Sequence, residues 1–314
     1  MTDLGVKAMK TGALIIATGV ATERESPDPL LKVGSCSVIE RLILTFQTAG
    51  IRLITIVVSE ENKKAVEKHA AQMGAAFIRN ETPDGEILGD IRCGLSYMSG
   101  LCDQILVAPI SAPMFSPETV EKLLNSGKRI AVPICNETQG HPILVAGALI
   151  PSILKYNGAE GLRGALASCG QELSEIAVDD TGVLAYVHQA GICEEIAKKH
   201  GLNQWRPVVK IYIAKGNTLI GPGTRQLLTL IGHIGSVRVA CEQMGMSYNK
   251  AWQILNGLEQ NLGARVVNRK AGGRQGGQTS LTPEAIDFLA RFDDFEQECF
   301  AATGEIFDRH MIDE

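Results

Sequence analysis

The segment from Ser247 to Gly263, SYNKAWQILNGLEQNLG, constrains the chain more than any other. Both ends are marked: a serine hydroxyl satisfies orphan N–H groups at a helix start, and glycine takes the left-handed conformation that closes a helix. Between them Ala251, Leu255, Leu258 and Leu262 recur at helical spacing with Trp252 beside them, which predicts a buried stripe. Asn249, Gln253, Asn256 and Gln260 share that spacing on another face. Carboxamides bring no net charge to a surface helix, but they can bond bidentately to an adenine edge in the major groove, so this face reads as that of a recognition helix.

The flanks agree. Ser236 to Met244 begins at another N-cap, and Gly245-Met246 leaves a tight turn between two helices. After the recognition helix, Val266-Val267 and Thr279 to Leu281 predict short paired strands around a ribbon holding the cations Arg269, Lys270 and Arg274 among glycines. Such a ribbon can lie on a phosphate backbone, where Lys and Arg gain affinity by releasing counterions. A solvated hairpin is the alternative, but helix, turn, helix and basic ribbon arrive in the order that DNA contact requires. The expected DNA-binding residues are Ser247, Tyr248, Asn249, Lys250, Gln253, Asn256, Arg269, Lys270 and Arg274. The expected partner is double-stranded DNA.

The formal charge of -5 would argue against DNA, yet it is strongly partitioned. Arg206 to Leu281 carries ten Lys/Arg against two acids, and Thr282 to Glu314 carries ten acids against two arginines. A local positive face is all that DNA binding needs. The acidic tail places Leu281, Ala285, Phe288, Phe292, Phe295, Cys299, Ala302 and Ile306 at alternating spacings of four and three. A narrow apolar seam on an otherwise acidic helix is the pattern of a helix pairing with its own copy, so a homodimer is expected, packing onto its own domain being the alternative. A dimer would present two recognition helices about one DNA turn apart.

Upstream, short apolar runs alternate with amphipathic segments: strands at Ala13–Ala17, Leu53–Val58, Ala76–Ile78, Ile105–Ala108 and Ile130–Pro133, and helices at Val38–Ala49, Glu60–Met73, Ile87–Met98 and Ser116–Leu124. This alternation predicts an α/β fold, a doubly wound, mostly parallel sheet, followed by the smaller winged helix-turn-helix domain. The expected division is residues 1–205 and 206–314, with Gly201 to Pro207 as linker after a helix from Ile192 to His200. In such sheets ligands sit at the carboxyl ends of the strands. No apolar run reaches the roughly 20 residues of a membrane span, the N-terminus lacks a convincing signal peptide, and the eight cysteines form no CxxC pair. A cytoplasmic protein with reduced thiols is expected.

Gly221 to Ala285, densest at Gly221-Pro222-Gly223, Gly245-Met246-Ser247-Tyr248, Ala251-Trp252 and the Gly-Gly ribbon, resembles the LysR-like DNA-binding domain of the ModE molybdate-responsive regulator family. Molybdate-binding members of that family carry small extra domains after this one; this sequence ends at Glu314, so effector sensing is expected in the preceding domain. That domain in turn resembles the MobA-like nucleotidyltransferases that attach CMP or GMP to molybdopterin, through GALIIATGVATERESPDPLLKVGSCSVIERLI, Gly89-Asp90-Ile91-Arg92-Cys93-Gly94-Leu95, Val107 to Pro113 and Gly140-His141-Pro142.

The departures from that family carry the functional expectation. Its first loop holds a Ser, an Arg, a Met-Gly pair and a triphosphate-neutralising Lys; here those places hold Ala21, Glu23, Arg24-Glu25 and Asp28. Its metal-holding Asp is Ser111, a later Asp is Ala159, and a final Asp pair is Tyr186 and His188. Nucleotidyl transfer needs Mg²⁺ on carboxylates and cations on the phosphates. The resemblance therefore implies a cleft kept and catalysis lost: no catalytic residue, no metal ligand and no cofactor, Mg²⁺ entering only if transfer survives. Gly19, Arg24, Lys32, Arg92, Ser111, Gly140, His141 and Pro142 are expected to line the cleft, the effector being a nucleotide or a molybdopterin-like compound. The rival expectation is an active cytidylyl- or guanylyltransferase carrying its own DNA-binding domain.

Overall fold

The computed structural model describes residues 9–18, 28–70, 73–80, 86–187, 193, 195–196, 207, 209–215, 217–244, 246–270 and 278–311. The chain forms two compact units, Met1–Asn203 and Gln204–Glu314. Most of the helix expected at Ile192–His200, and most of the linker after it, lie outside the described residues.

The first unit is built on β1 (Thr11–Ala17), whose residues from Gly12 onward are all buried. Continuous apolar runs of this kind belong to strands covered on both faces. β2 (Lys32–Val33) and β3 (Cys36–Ser37) form a small hairpin. Ser37 then starts α1 (Val38–Thr48) through a full capping box with Glu40, and the helix buries Ile39, Leu42, Ile43 and Phe46. The chain continues through β4 (Leu53–Val58), α2 (Glu60–Ala70), β5 (Ala75–Arg79), α3 (Ile87–Met98), β6 (Gln104–Pro109) and α4 (Pro117–Leu124). After these come β7 (Ile130–Cys135), β8 (Thr138–Gln139), β9 (Ile143–Ala146), α5 (Ile150–Lys155), α6 (Gly161–Ala167) and β10 (Ser174–Ala177).

The sheet runs β10-β7-β9-β6-β1-β4-β5, with β8 paired to β7. β1 pairs in parallel with β4 on one side and β6 on the other, so the chain winds outward to β5 and crosses back to β6. The carboxyl ends of β1 and β6 thus flank a topological switch point. β9 is the departure from the sequence reading: it runs antiparallel between β6 and β7. Its four residues, ILVA, are apolar like those of the parallel strands, so nothing local announces a reversed strand.

Two details fix the helices on this sheet. Gly94 lies so close to β1 that a Cβ there would sit 2.2 Å from Leu14 Cδ1, which brings α3 down onto the strand. On the other face Phe46 of α1 meets Phe115 ahead of α4, ring centroids 5.4 Å apart.

The second unit begins with the hairpin β11 (Ile213–Lys215) and β12 (Asn217–Ile220). It continues through α7 (Pro222–Ile234), α8 (Val237–Gln243), α9 (Tyr248–Leu262), β13 (Val267–Lys270), β14 (Gln278–Leu281) and α10 (Pro283–Met311). Gly235 (φ 75°) and Gly263 (φ 67°) close α7 and α9 in the left-handed conformation. Leu227, Leu228, Leu230 and Ile231 of α7 and Ala251, Leu255 and Leu258 of α9 are among the unit's buried residues. Arg225 of α7 donates to Asp293 of α10 (Nε to Oδ1, 2.5 Å).

The apolar seam of α10 divides. Ala285 and Phe292 are buried within their own unit, at 0% and 1% exposure, together with Leu289. Phe295 and Ile306 remain exposed at 46% and 53%. Spacing alone could not tell a home-core half from an outward half.

Candidate functional site

Strand register assembles the first site. Ile16 of β1 lies across from Pro109 of β6, and Val107 of β6 across from Ile143 of the reversed β9. His141 and Pro142 immediately precede the antiparallel β9, at the end of the sheet where Thr18 and Ser111 follow β1 and β6. At that edge Thr18 Oγ1 donates to Asp90 Oδ2 (2.5 Å) and Asn80 Nδ2 donates to Oδ1 (3.0 Å). Asp90 is buried in the first turn of α3, one helical turn before Gly94. The close helix-strand approach at Gly94 is what sets the carboxylate over the end of β1.

His141 is held by its backbone. Gly140 N–H donates to Pro133 O (2.9 Å) and His141 N–H to Val183 O (3.1 Å). A side chain at Gly140 would fall 2.3 Å from Val183 O, so only glycine fits. The His141–Pro142 peptide is cis. Although the residue keeps some exposure, its ring is enclosed, and burial pushes the imidazole down to about 4. Its Nδ1 is buried without a hydrogen-bond partner among the described residues. At neutral pH this is an uncharged imidazole that can serve a ligand as donor or acceptor.

Gly19 and Arg24 lie outside the described residues. Lys32 is exposed on the β2–β3 hairpin. Ser111 accepts from Val187 N–H through its carbonyl (2.8 Å). Arg92 Nε donates to Ile153 O of α5 (3.4 Å), while its Nη2 is buried with no hydrogen-bond partner among the described residues. Asp90, Thr18 and Asn80 form a polar cluster that sequence reading passed over; the available signal was an acid in the first turn of a helix following an outer strand.

Both Asp90 oxygens already accept hydrogen bonds, Ser111 offers a hydroxyl where the family has a carboxylate, and no three His, Cys, Asp or Glu side chains converge among the described residues.

In the second unit Ser247 Oγ accepts from Lys250 N–H (3.3 Å) as the N-cap of α9. Tyr248, Asn249, Lys250, Gln253 and Asn256 are all exposed, as is Gln260. Arg269 on β13 lays its guanidinium over the indole of Trp252, Cζ 3.6 Å from the ring centroid. Tyr248 meets that indole edge-on at 6.0 Å. The backbone of Lys270 pairs with Gln278, and Arg274 lies outside the described residues. β14 is tied to the helices through Thr279 N–H on Gly235 O (2.7 Å).

A doubly wound, mostly parallel sheet with a polar switch-point edge defines a nucleotidyltransferase-type domain, here followed by a smaller domain of helices and hairpins. The chain belongs to the MobA-like NTP transferase domain family, matched over residues 13–175. A nucleotidyl transferase from Methanothermobacter thermautotroptrophicus shares the fold, with TM-score 0.52 and 18% identity over 62% of this chain and 100% of that one. The C-terminal part is similar to the molybdenum-pterin-binding protein MopB of Rhodobacter capsulatus, 30% identical over 95 residues. It is also similar to the molybdenum transport protein ModE of Herbaspirillum seropedicae, 36% identical over 64 residues. These matches take in 30% and 20% of this chain, and the chain spans 35% and 24% of those relatives' lengths. Among the described residues no helix is long and apolar enough to cross a membrane.

Proposed function

We propose that the chain is a cytoplasmic transcription regulator that binds duplex DNA as a homodimer through its second unit and a small molecule through its first. The observation that carries the DNA reading is the outward face of α9: Asn249, Gln253 and Asn256 are exposed in register, with Lys250 beside them and Arg269 adjoining from β13. Carboxamides read adenine edges, and the cations engage phosphate. The exposed half of the α10 seam, Phe295 to Ile306, is the proposed contact between copies.

The sensor reading rests on the switch-point edge. Asp90 offers negative charge where a triphosphate would need neutralisation, and His141 is uncharged at neutral pH. An uncharged or weakly anionic ligand with N–H donors suits these groups better than a Mg²⁺-nucleotide. The names of the relatives matched by the second unit point toward a molybdopterin-like compound.

Family membership over residues 13–175 favours a second reading, an active molybdenum-cofactor cytidylyl- or guanylyltransferase with its own DNA-binding module. The two part on one assay. Pyrophosphate release from CTP or GTP with Mg²⁺ and molybdopterin stays at background for a sensor, whereas turnover of roughly 1 per second or more establishes the enzyme. The DNA reading is tested by titrating the full chain into labelled duplex at rising salt. Binding that weakens steeply with salt supports it, and no binding at low salt removes it.

A further inference from the structure

Trp252 lies between the two parts of the proposed DNA-binding surface. It sits in the second turn of α9, half-buried, with Tyr248 against its edge and the Arg269 guanidinium over its face. Arg269 belongs to β13, so one indole joins the helix to the wing. Arg269 is exposed and makes no ion pair with any described carboxylate. A guanidinium stacked through its face on a ring keeps its in-plane N–H donors directed outward, and that edge matches a phosphate bidentately.

We infer that Trp252 is a positioning residue for DNA binding: it holds Arg269 flat beside the start of α9, so that wing and recognition helix engage the phosphate backbone in one fixed register. This deepens, and rests on, the DNA-binding reading. An arginine on a glycine-flanked ribbon would otherwise sample many rotamers and lose that freedom on contact; the stack removes most of that cost beforehand. Trp252 itself touches no DNA in this arrangement, so its effect runs wholly through Arg269.

The test is a double-mutant cycle in the full-length protein, read by anisotropy of a fluorescein-labelled mixed-sequence duplex at several salt concentrations. Arg269→Ala should lower the slope of log K against log salt by about 1. Trp252→Leu should weaken binding about 2- to 5-fold, the range of an exposed cation–π contact. In the Arg269→Ala background Trp252→Leu should change the affinity by less than about 1.5-fold, because the charge it positions is gone. Trp252→Phe, which keeps a ring, should recover most of the loss. Equal losses from Trp252→Leu in both backgrounds, or a salt slope indifferent to Arg269→Ala, would overturn the inference while leaving DNA binding intact. An unmodified protein that binds no duplex overturns both. Should Trp252→Leu fail to fold, the slope change from Arg269→Ala together with Trp252→Phe still decides it.

Discussion

Replacing Gly94 with alanine probes the contact that sets Asp90 over β1. The new Cβ would lie 2.2 Å from Leu14 Cδ1, 2.8 Å from Cδ2 and 3.0 Å from Cγ, where carbon atoms need about 3.5 Å or more. Leu14 cannot retreat: it is 0% exposed, and its strand is held between Thr55 of β4 and Val107 of β6. α3 must therefore move outward by about 1 Å. Overpacking of this kind costs about 1–3 kcal/mol, and alanine returns roughly 1 kcal/mol of helix propensity. A net loss of up to about 2 kcal/mol should lower the melting temperature of the first unit by up to about 8 °C. Leu14→Ala on its own should cost about 2–5 kcal/mol through the cavity it leaves. In that background the clash is absent, so Gly94→Ala should reverse sign and stabilise by roughly 1 kcal/mol. Calorimetry of the full chain can separate the units, because both tryptophans, Trp205 and Trp252, belong to the second and mark its transition by fluorescence. If Gly94→Ala costs the same in both backgrounds, the packing argument for α3 and Asp90 is wrong.

Further outcomes follow from other positions. His141 has a folded pKa near 4, below its unfolded value of 6.5, so the unfolded state binds more protons between those values and stability falls as pH drops through the window. About 2 kcal/mol should be lost between pH 7.5 and 5, and His141→Gln should flatten that loss in a pH series of melting curves. Phe292→Ala should destabilise the second unit by about 3–5 kcal/mol, since the side chain is 1% exposed at home. Phe295→Asp should leave melting within about 0.5 kcal/mol but reduce self-association in sedimentation; an unmodified protein monomeric at micromolar concentration would discard the dimer. Glu137 holds φ 61° in the two-residue turn between β7 and β8, so Glu137→Gly should stabilise by roughly 0.5–1 kcal/mol in the same calorimetry.

What could be read beforehand was whatever is written locally. The caps Ser247 and Gly263 bound α9 in the sequence as they do in space, because capping depends on residues within one turn. The buried runs of β1, β4 and β6 stand out because a covered parallel strand has no polar face to obscure it. What stayed hidden depends on partners far along the chain. Asp90 meets Thr18 across 72 positions, and Trp252 meets Arg269 only once the wing folds back. Arg92 likewise meets Ile153 of α5 across 61 positions, a contact that its motif does not announce. The α10 seam was legible as a stripe, while the division at Phe292 followed only from packing.

The reversal of β9 has a consequence for how this cleft can change. Thr18, Asn80 and Ser111 each leave a parallel strand at the carboxyl edge, so lengthening the chain there disturbs a crossover and the helix that follows. His141 instead arrives at the edge from the short connection between β8 and β9, where the backbone of Gly140 and His141 bonds to Pro133 and Val183. With Gly140 fixed, an exchange at His141 or Pro142, or an insertion beside them, would reshape the mouth while leaving every crossover helix in place. The fold thus offers one stretch, three residues long between its strands, where ligand preference can drift independently of the scaffold.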